Sequence, residues 1–405
     1  MKVEFVHCAD LHLGCNSDRI EERYNDFFIS FADVIEYTHK SNIKYLLISG
    51  DFFHLKVLNS KTLRKTIELL ELAKTYNIST FVIEGNHDKA FYVDEESWLS
   101  FLAEQNYITL LTSYIVDGEV VIRPHLNKSG SIFEKDEIRI IGLSYLGATT
   151  EKYLSSFNKN ITSSKKPTIL MLHAAVERLY EQDMADIKKE TLITFKEKVN
   201  YIALGHIHNR YEYDNFLFNP GSLENIRVKD GANPEKKGYY HVVIEDGVVS
   251  AKHIESLKRK VYIERIDVSS YLNPNDFTLD IIERPFNFES KTSVIIQIYG
   301  KVDYNALTFD TKFIAEKIKT RYDLLYIDVI NSVNIIKSAS ENKTLDVDIS
   351  SLVKNEVINS IKFYYPQAAN QEKLAKKMMS LASDMTDNKD FADIVARLDK
   401  EGDEL

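Results

Sequence analysis

The sequence predicts a layered α/β protein with a β-sandwich-like centre. Strand-like apolar runs alternate with amphipathic helical periods through residues 1–230. Five of the short apolar runs end on Asp, Asn or His. In open α/β folds ligands bind at the carboxyl ends of strands, so those five ends are expected to converge on one site.

The elements follow in chain order. The run 3–6 is a strand leading to Asp10 and His12. Tyr24, Phe27, Phe28, Phe31 and Ile35 recur at helical spacing and predict a helix over 20–40. The run 45–48 leads into Gly50-Asp51. Ser60 is expected to cap the next helix, with Leu63, Ile67 and Leu70 on its buried face. The run 81–83 enters Gly85-Asn86-His87-Asp88, and a third helix is expected over 95–105, around Trp98, Leu99 and Leu102. Residues 120–123 and 138–143 read as strands, and the polar stretches 125–137 and 158–166 read as loops. The run 169–172 goes straight into His173, and 201–204 into Gly205-His206-Ile207-His208.

Further on, 229–237 contains Gly and Pro and reads as a loop. Residues 238–244 and 247–254 predict strands joined at Asp246-Gly247, and 261–268 a third. A strand at 294–299, a helix at 313–321 and a strand at 324–329 predict a small α/β module over about 260–340. Residues 331–350 are polar and read as a linker. From 351 two apolar stripes, Leu374, Met378, Leu381, Met385 and then Phe391, Ile394, Val395, Leu398, flank Thr386-Asp387-Asn388. They predict a helical hairpin, which packs on its own domain or docks a partner chain.

Bulk properties bound the function. The chain has 405 residues, 44% hydrophobic and 28% charged, an ordinary globular composition long enough for more than one domain. No apolar run approaches the roughly 18 residues of a membrane span, and none is expected. Met1-Lys2-Val3-Glu4-Phe5 enters a strand pattern directly, so no signal peptide is expected. Cys8 and Cys15 are the only cysteines, which suits a reducing cytoplasm, and Cys8 reads as a buried thiol. The net charge of -10 argues against a broad basic face for nucleic acid. Local Lys and Arg, bound cations or a partner would have to supply that grip.

The converging set is Asp10, His12, Asp51, Asn86, His87, His173, His206 and His208. Carboxylate, amide oxygen and imidazole together suit two divalent cations, and two cations suit phosphoester hydrolysis. Cations about 3.5–4 Å apart need a bridging carboxylate. Asp51 is the expected bridge, because Gly50 before it lets the backbone turn sharply. His87 is expected to lie beside the cations as a proton donor, with Asp88 orienting its imidazole. Asp-x-His and Gly-Asp are weak signals alone, while Gly-Asn-His-Asp and Gly-His-x-His after apolar runs are strong. His7 reads as a hydrogen-bonded core histidine, and His39, His125, His241 and His253 as ordinary residues. Arg210 either reaches a phosphate or is solvated. The run Lys258-Arg259-Lys260 either contacts a DNA backbone or forms a solvated edge.

In their order, these motifs resemble those of the calcineurin-like metallophosphoesterase superfamily. Ala-Asp-Leu-His-Leu-Gly (9–14), Gly-Asp-Phe-Phe-His (50–54), Ile-Glu-Gly-Asn-His-Asp (83–88), Leu-Gly-His-Ile-His (204–208) and Asn-Pro-Gly-Ser-Leu-Glu (219–224) resemble the SbcD-type DNA repair exonucleases, within them the YhaO branch. The likeness covers about residues 1–265. It implies a four-layer α/β/β/α sandwich over 1–258, a small α/β capping domain over 259–340 that orients DNA, and a linker with helical tail over 341–405. It implies one metal on Asp10, His12, Asp51 and His208, and a second on Asp51, Asn86, His173 and His206. His87 would face the scissile phosphate, and His54 would help place the strand. Two Mn2+ ions, 3′-to-5′ exonuclease and single-strand endonuclease activity, an SbcC-like coiled-coil ATPase partner and a homodimer are also implied. Pro220-Gly221-Ser222 would support the His206/His208 loop. The rival expectations are a phosphoprotein phosphatase or cyclic-nucleotide phosphodiesterase on the same metals, and a metal-free scaffold.

Overall fold

The computed structural model describes residues 1–90, 96–135, 137–177, 187–232, 236–304 and 309–335. Two six-stranded sheets form its centre. The first runs in the order Val248–Glu255, Gly238–Glu245, Lys2–Cys8, Tyr45–Ser49, Ser79–Ile83, Thr109–Leu110. The second runs Tyr211–Tyr213, Leu217–Asn219, Tyr201–Gly205, Thr168–His173, Ile138–Leu143, Ile132–Lys135.

Side-chain alternation along the strands builds the layers. Val3, Phe5, Leu47 and Phe81 turn from the first sheet onto Ile140, Ile169, Met171 and Tyr201 of the second. Their neighbours Val6, Leu46, Ile48 and Val82 face outward, under Phe27, Phe31, Leu70 and Leu102 of the helices Glu21–Lys40, Ser60–Thr75 and Trp98–Glu104. On the other side Ile141, Leu170, Leu172 and Ile202 carry Leu154, Phe157 and Phe195. The outcome is the expected α/β/β/α order. His7 lies on the buried inner face, bonded to Tyr201 Oη at 2.9 Å and Ser49 Oγ at 3.1 Å, so it ties the sheets together.

Several local expectations shift. Asn59, not Ser60, caps the second helix: the chain stays extended through Asn59, whose side chain accepts from Thr62 N at 2.8 Å. The stretch expected as loop 125–137 contains the edge strand Ile132–Lys135, because Phe133 packs its ring on Phe81 at 4.6 Å. The helices Thr150–Asn160 and Pro274–Glu283 were not anticipated, and the first takes the start of the loop expected over 158–166. Asp246 and Gly247 both have positive φ, 50° and 84°, as a two-residue hairpin turn of the type I′ kind needs.

Beyond these sheets Val261–Asp267, Ser293–Val302 and Tyr326–Ile335 pair in parallel, with Ser293–Val302 in the middle. The helices Pro274–Glu283 and Thr311–Tyr322 connect them, and Ile266, Phe277, Ile281, Ile296, Ile314 and Ile318 form their own core. The last strand takes residues 331–335 from the expected linker. The rest of that linker and the tail hairpin fall outside the described residues.

A buried ion cluster joins this module's first residues to the main sheets. Arg23 faces Asp18, Asp26 and Glu224, and Arg259 grips Asp26 through two bonds of 2.6 and 2.7 Å. Arg259 is therefore engaged in an ion pair and is not a free backbone contact for DNA. Removing Arg23 takes the cationic partner from the buried Glu224 and from Asp18 and leaves Asp26 to Arg259 alone. Arg23→Ala is expected to cost about 3–5 kcal/mol, read as a lower urea midpoint.

Candidate metal centre

The parallel strands of both sheets end at one level. Gly205 pairs with His173 across the second sheet, and Ser49 with Ile83 across the first. The residues that follow must turn at once. Asp10, His12, Asp51 and His206 all take positive φ, 53°, 46°, 49° and 88°. Such backbone is disfavoured for side-chain-bearing residues and persists only where surroundings over-determine it. Here hydrogen bonds do so: Asp10 N donates to Gly50 O, His12 N to Asp51 O and His206 N to Asp10 Oδ1, all at 3.0 Å. Glycines at these turns leave no room for a side chain. A Cβ on Gly50, at φ 88°, would enter the His173 ring, and one on Gly85 would enter the Asp51 carboxylate.

These turns bring together Asp10, His12, Asp51 and His208 in one group and Asp51, His173 and His206 in the next, with candidate ligand atoms in each within 4.8 Å of one another. Asn86 adds its side-chain oxygen to the second group, 3.1 Å from both His173 Nε2 and His206 Nδ1. Asp51 belongs to both groups. His173 Nδ1 donates to Ser49 O at 2.7 Å, which leaves Nε2 as the nitrogen facing Asp51, 3.4 Å away. Nε2 of His12 lies 3.0 Å from Nε2 of His208 and 3.7 Å from Asp51 Oδ2. A cation satisfies such a convergence of carboxylate, amide and imidazole lone pairs, and the mixed oxygen and nitrogen set suits borderline divalent ions.

His54, His12 and His87 form a further group. His54 stacks on His87 with centroids 5.5 Å apart and sets its Nδ1 3.3 Å from His12 Nδ1. His87 N donates to Asp51 Oδ1 at 2.9 Å, and its Nδ1 donates to the His54 carbonyl at 2.6 Å. That carbonyl, rather than Asp88, orients the ring. The Asp88 carboxylate accepts from the backbone N–H groups of Phe52, Phe53 and Gly85, at 3.1, 2.9 and 2.9 Å. Asp88 thus pins the Asp51 loop to the Asn86 loop, because three inward N–H groups there need an acceptor.

Further supports surround the histidine loop, some from the 219–224 motif and some, such as Lys237 and Tyr145, without a sequence signal. Asn219 Nδ2 donates to the carbonyls of Ile207 and Asn209 at 2.7 and 2.8 Å, and Ser222 N donates to His208 O at 3.1 Å. The Asn-Pro-Gly-Ser turn does hold the histidine loop. Lys237 Nζ donates to the same His208 carbonyl at 2.6 Å, and the Tyr145 ring lies 5.8 Å from His173 and 5.4 Å from His206. Arg210 instead bonds Tyr240 Oη and Glu212, so the solvated reading fits it better than a phosphate contact.

Burial and charge set the protonation states. Burial, aided by Asp51, pushes Asp88 up to about 7. Burial also lifts Asp10 to about 7, against the pull of His173. It would lift Asp51 too, but His173 and His12 hold that carboxyl well below its usual range. Burial opposes the charged form of His173, yet Asp51 raises it to about 9. His12 and His208 are driven down, chiefly by burial, His208 to about 4. The folded pKa of His173 exceeds its unfolded value, so its contribution is complete below about 6.5 and fades as pH rises towards 9. Asp10 and Asp88, raised to about 7, lose stability in the same direction as they ionise, and His12 and His208, already neutral in the folded state, return only the small remainder of their unfolded-state titration above 6.5. Protein held in EDTA is therefore expected to lose melting temperature from pH 7 to 8.5. A divalent cation needs the deprotonated ligands, so excess Mn2+ should abolish the loss in the same melts.

The family model for Calcineurin-like phosphoesterase matches residues 3–210, just over half of the chain. Several relatives carry the name DNA double-strand break repair protein Mre11. The one from Archaeoglobus fulgidus is 28% identical over 255 residues, which is 61% of this chain and 55% of that protein. Those from Thermoplasma acidophilum and Methanocaldococcus jannaschii are 24% and 29% identical, covering 75% and 62% of this chain and 79% and 66% of their own lengths. The chain thus spans about half the length of the Archaeoglobus protein. With the match running through all strand ends from Asp10 to His208, the chain belongs to the calcineurin-like phosphoesterase family.

Proposed function

We propose that the chain is a two-metal DNA nuclease that trims DNA ends during repair, as a 3′-to-5′ exonuclease and single-strand endonuclease. The observation that carries this is the pair of donor groups sharing Asp51, with His87 beside them. The repair names of its relatives support DNA as substrate. Asp10, His12, Asp51 and His208 would hold one cation, and Asp51, Asn86, His173 and His206 the other, with Mn2+ suited to this mixed set.

Held by these residues, two cations would offset the charge of a phosphodiester and make a water easier to deprotonate near neutral pH. The protein does the rest. Gly50 and Gly85 keep the loops close enough for Asp51 to serve both groups. The His54 carbonyl holds His87 Nδ1 as a donor, so Nε2 is the nitrogen that delivers a proton to the departing alkoxide. His54, stacked on that ring, stiffens it and offers an edge to the strand.

On this reading residues 1–258 are the nuclease domain and 259–340 a cap that orients DNA, anchored by Arg259 on Asp26. The tail over 341–405 docks an SbcC-like ATPase, and the protein works as a homodimer in the cytoplasm. No helix among the described residues is long and apolar enough to cross a membrane.

Linear single- and double-stranded DNA, incubated with Mn2+ and then with EDTA, tests the proposal. Mn2+-dependent shortening is expected. His87→Ala should lower its rate by about 10²–10⁴-fold while metal content stays unchanged. Intact DNA alongside brisk hydrolysis of small phosphomonoesters would contradict it.

A further inference from the structure

Immediately beside His87 the chain exposes apolar surface that the fold itself does not need. Leu55 is 58% exposed and Val57 69% exposed, on either side of Lys56. Together with His54, Asn86 and His87 these residues line a cavity of about 400 Å³, a size that takes a small ligand.

The segment carrying them is anchored at both ends. Phe52 and Phe53 are buried, with their N–H groups on Asp88. His54 N donates to Leu13 O at 3.1 Å, and Asn59 caps the following helix. Leu58 turns inward and packs on the helical core. Leu55 and Val57 are exposed and outside the buried core, yet they present two apolar side chains next to the His12, His54 and His87 cluster. Isolated exposed apolar residues need no explanation, but a pair framing a cavity at a reactive site marks a binding surface.

The occupant follows from its neighbours. His87 and Asn86 form the polar wall of the same cavity. In the proposed function His87 protonates the alkoxide leaving the scissile phosphate and Asn86 holds a cation beside it, and this inference rests on that reading. What lies beside a phosphate in DNA and seeks apolar contact is a nucleobase. Such contact tolerates all four bases, because each has an apolar face. We propose that Leu55 and Val57 seat the unstacked base of the nucleotide being released, and so favour single-stranded or frayed ends.

The test is a ratio within one enzyme preparation. The full chain with Mn2+ is given single-stranded DNA with an intact terminal nucleotide, and the same strand with an abasic residue at that position. The native protein should prefer the intact end by about five- to tenfold in kcat/KM. Leu55→Ser/Val57→Ser should bring the ratio near unity, and Leu55→Phe, which offers a stacking ring, should raise it. The opposite shifts in the two variants guard against a folding defect. A ratio unmoved by both would overturn the base seat while leaving the nuclease reading intact. If the unmoved ratio came with a changed oligomer size, the surface would instead be a contact between copies. Failure of the native protein to cut any DNA would remove both readings.

Discussion

Two buried carboxylates, Asp10 and Asp51, share one donor group. Everything else at the centre of the molecule answers that constraint. Like charges this close repel strongly in a poorly hydrated interior, and burial penalises each. The protein concentrates compensation there: six imidazoles, a carboxamide, backbone N–H groups and four strained turns. An ion pair with His173 also carries Asp51. The arrangement is costly as a piece of folding and sensible as a receptor for positive charge.

The hydrophobic architecture is what makes that concentration tolerable. Two sheets with an apolar interface and helices on both outer faces hold the strand ends at a fixed level. The turns after those ends are then short and cross-braced, Leu13 to Phe53 and Asp88 to three N–H groups. A second line of support runs from His208 through the turn at 219–225 to Glu224, Arg23 and Asp26, and on to Arg259 at the start of the three-stranded module. The route is a chain of direct contacts from the metal centre to the part of the protein proposed to orient DNA.

The centre was legible because its residues are chemically out of place in a strand pattern: Asp, Asn and His have no reason to end five apolar runs. Gly50 and Gly85 were informative for the same reason. The supports were not legible. Lys237 is a polar residue in a polar stretch, and only the three-dimensional path of the His206–His208 loop gives it a role, while Asn219 opened a recognisable motif whose bonds to that loop the sequence does not specify. Asp88 looked like a partner of His87 because the two are adjacent in sequence, but the nearer demand came from N–H groups of a loop 35 and 36 residues away. Edge elements hid for another reason: Ile132–Lys135 is half polar, and its pairing with Ile138–Leu143 appears only once the sheet exists. The helix Pro274–Glu283 has a clear cap in Asn273, yet its short apolar face blends into the surrounding polar sequence.

The most direct test of the account is a metal count on mutants. Protein stripped with chelator, dialysed against Mn2+ and measured by elemental analysis should hold two ions per chain. His208→Ala should hold one, and Asp51→Ala, which removes the shared carboxylate, should hold neither tightly. Two ions retained in Asp51→Ala, or a single ion in the native chain, would contradict the shared-carboxylate centre.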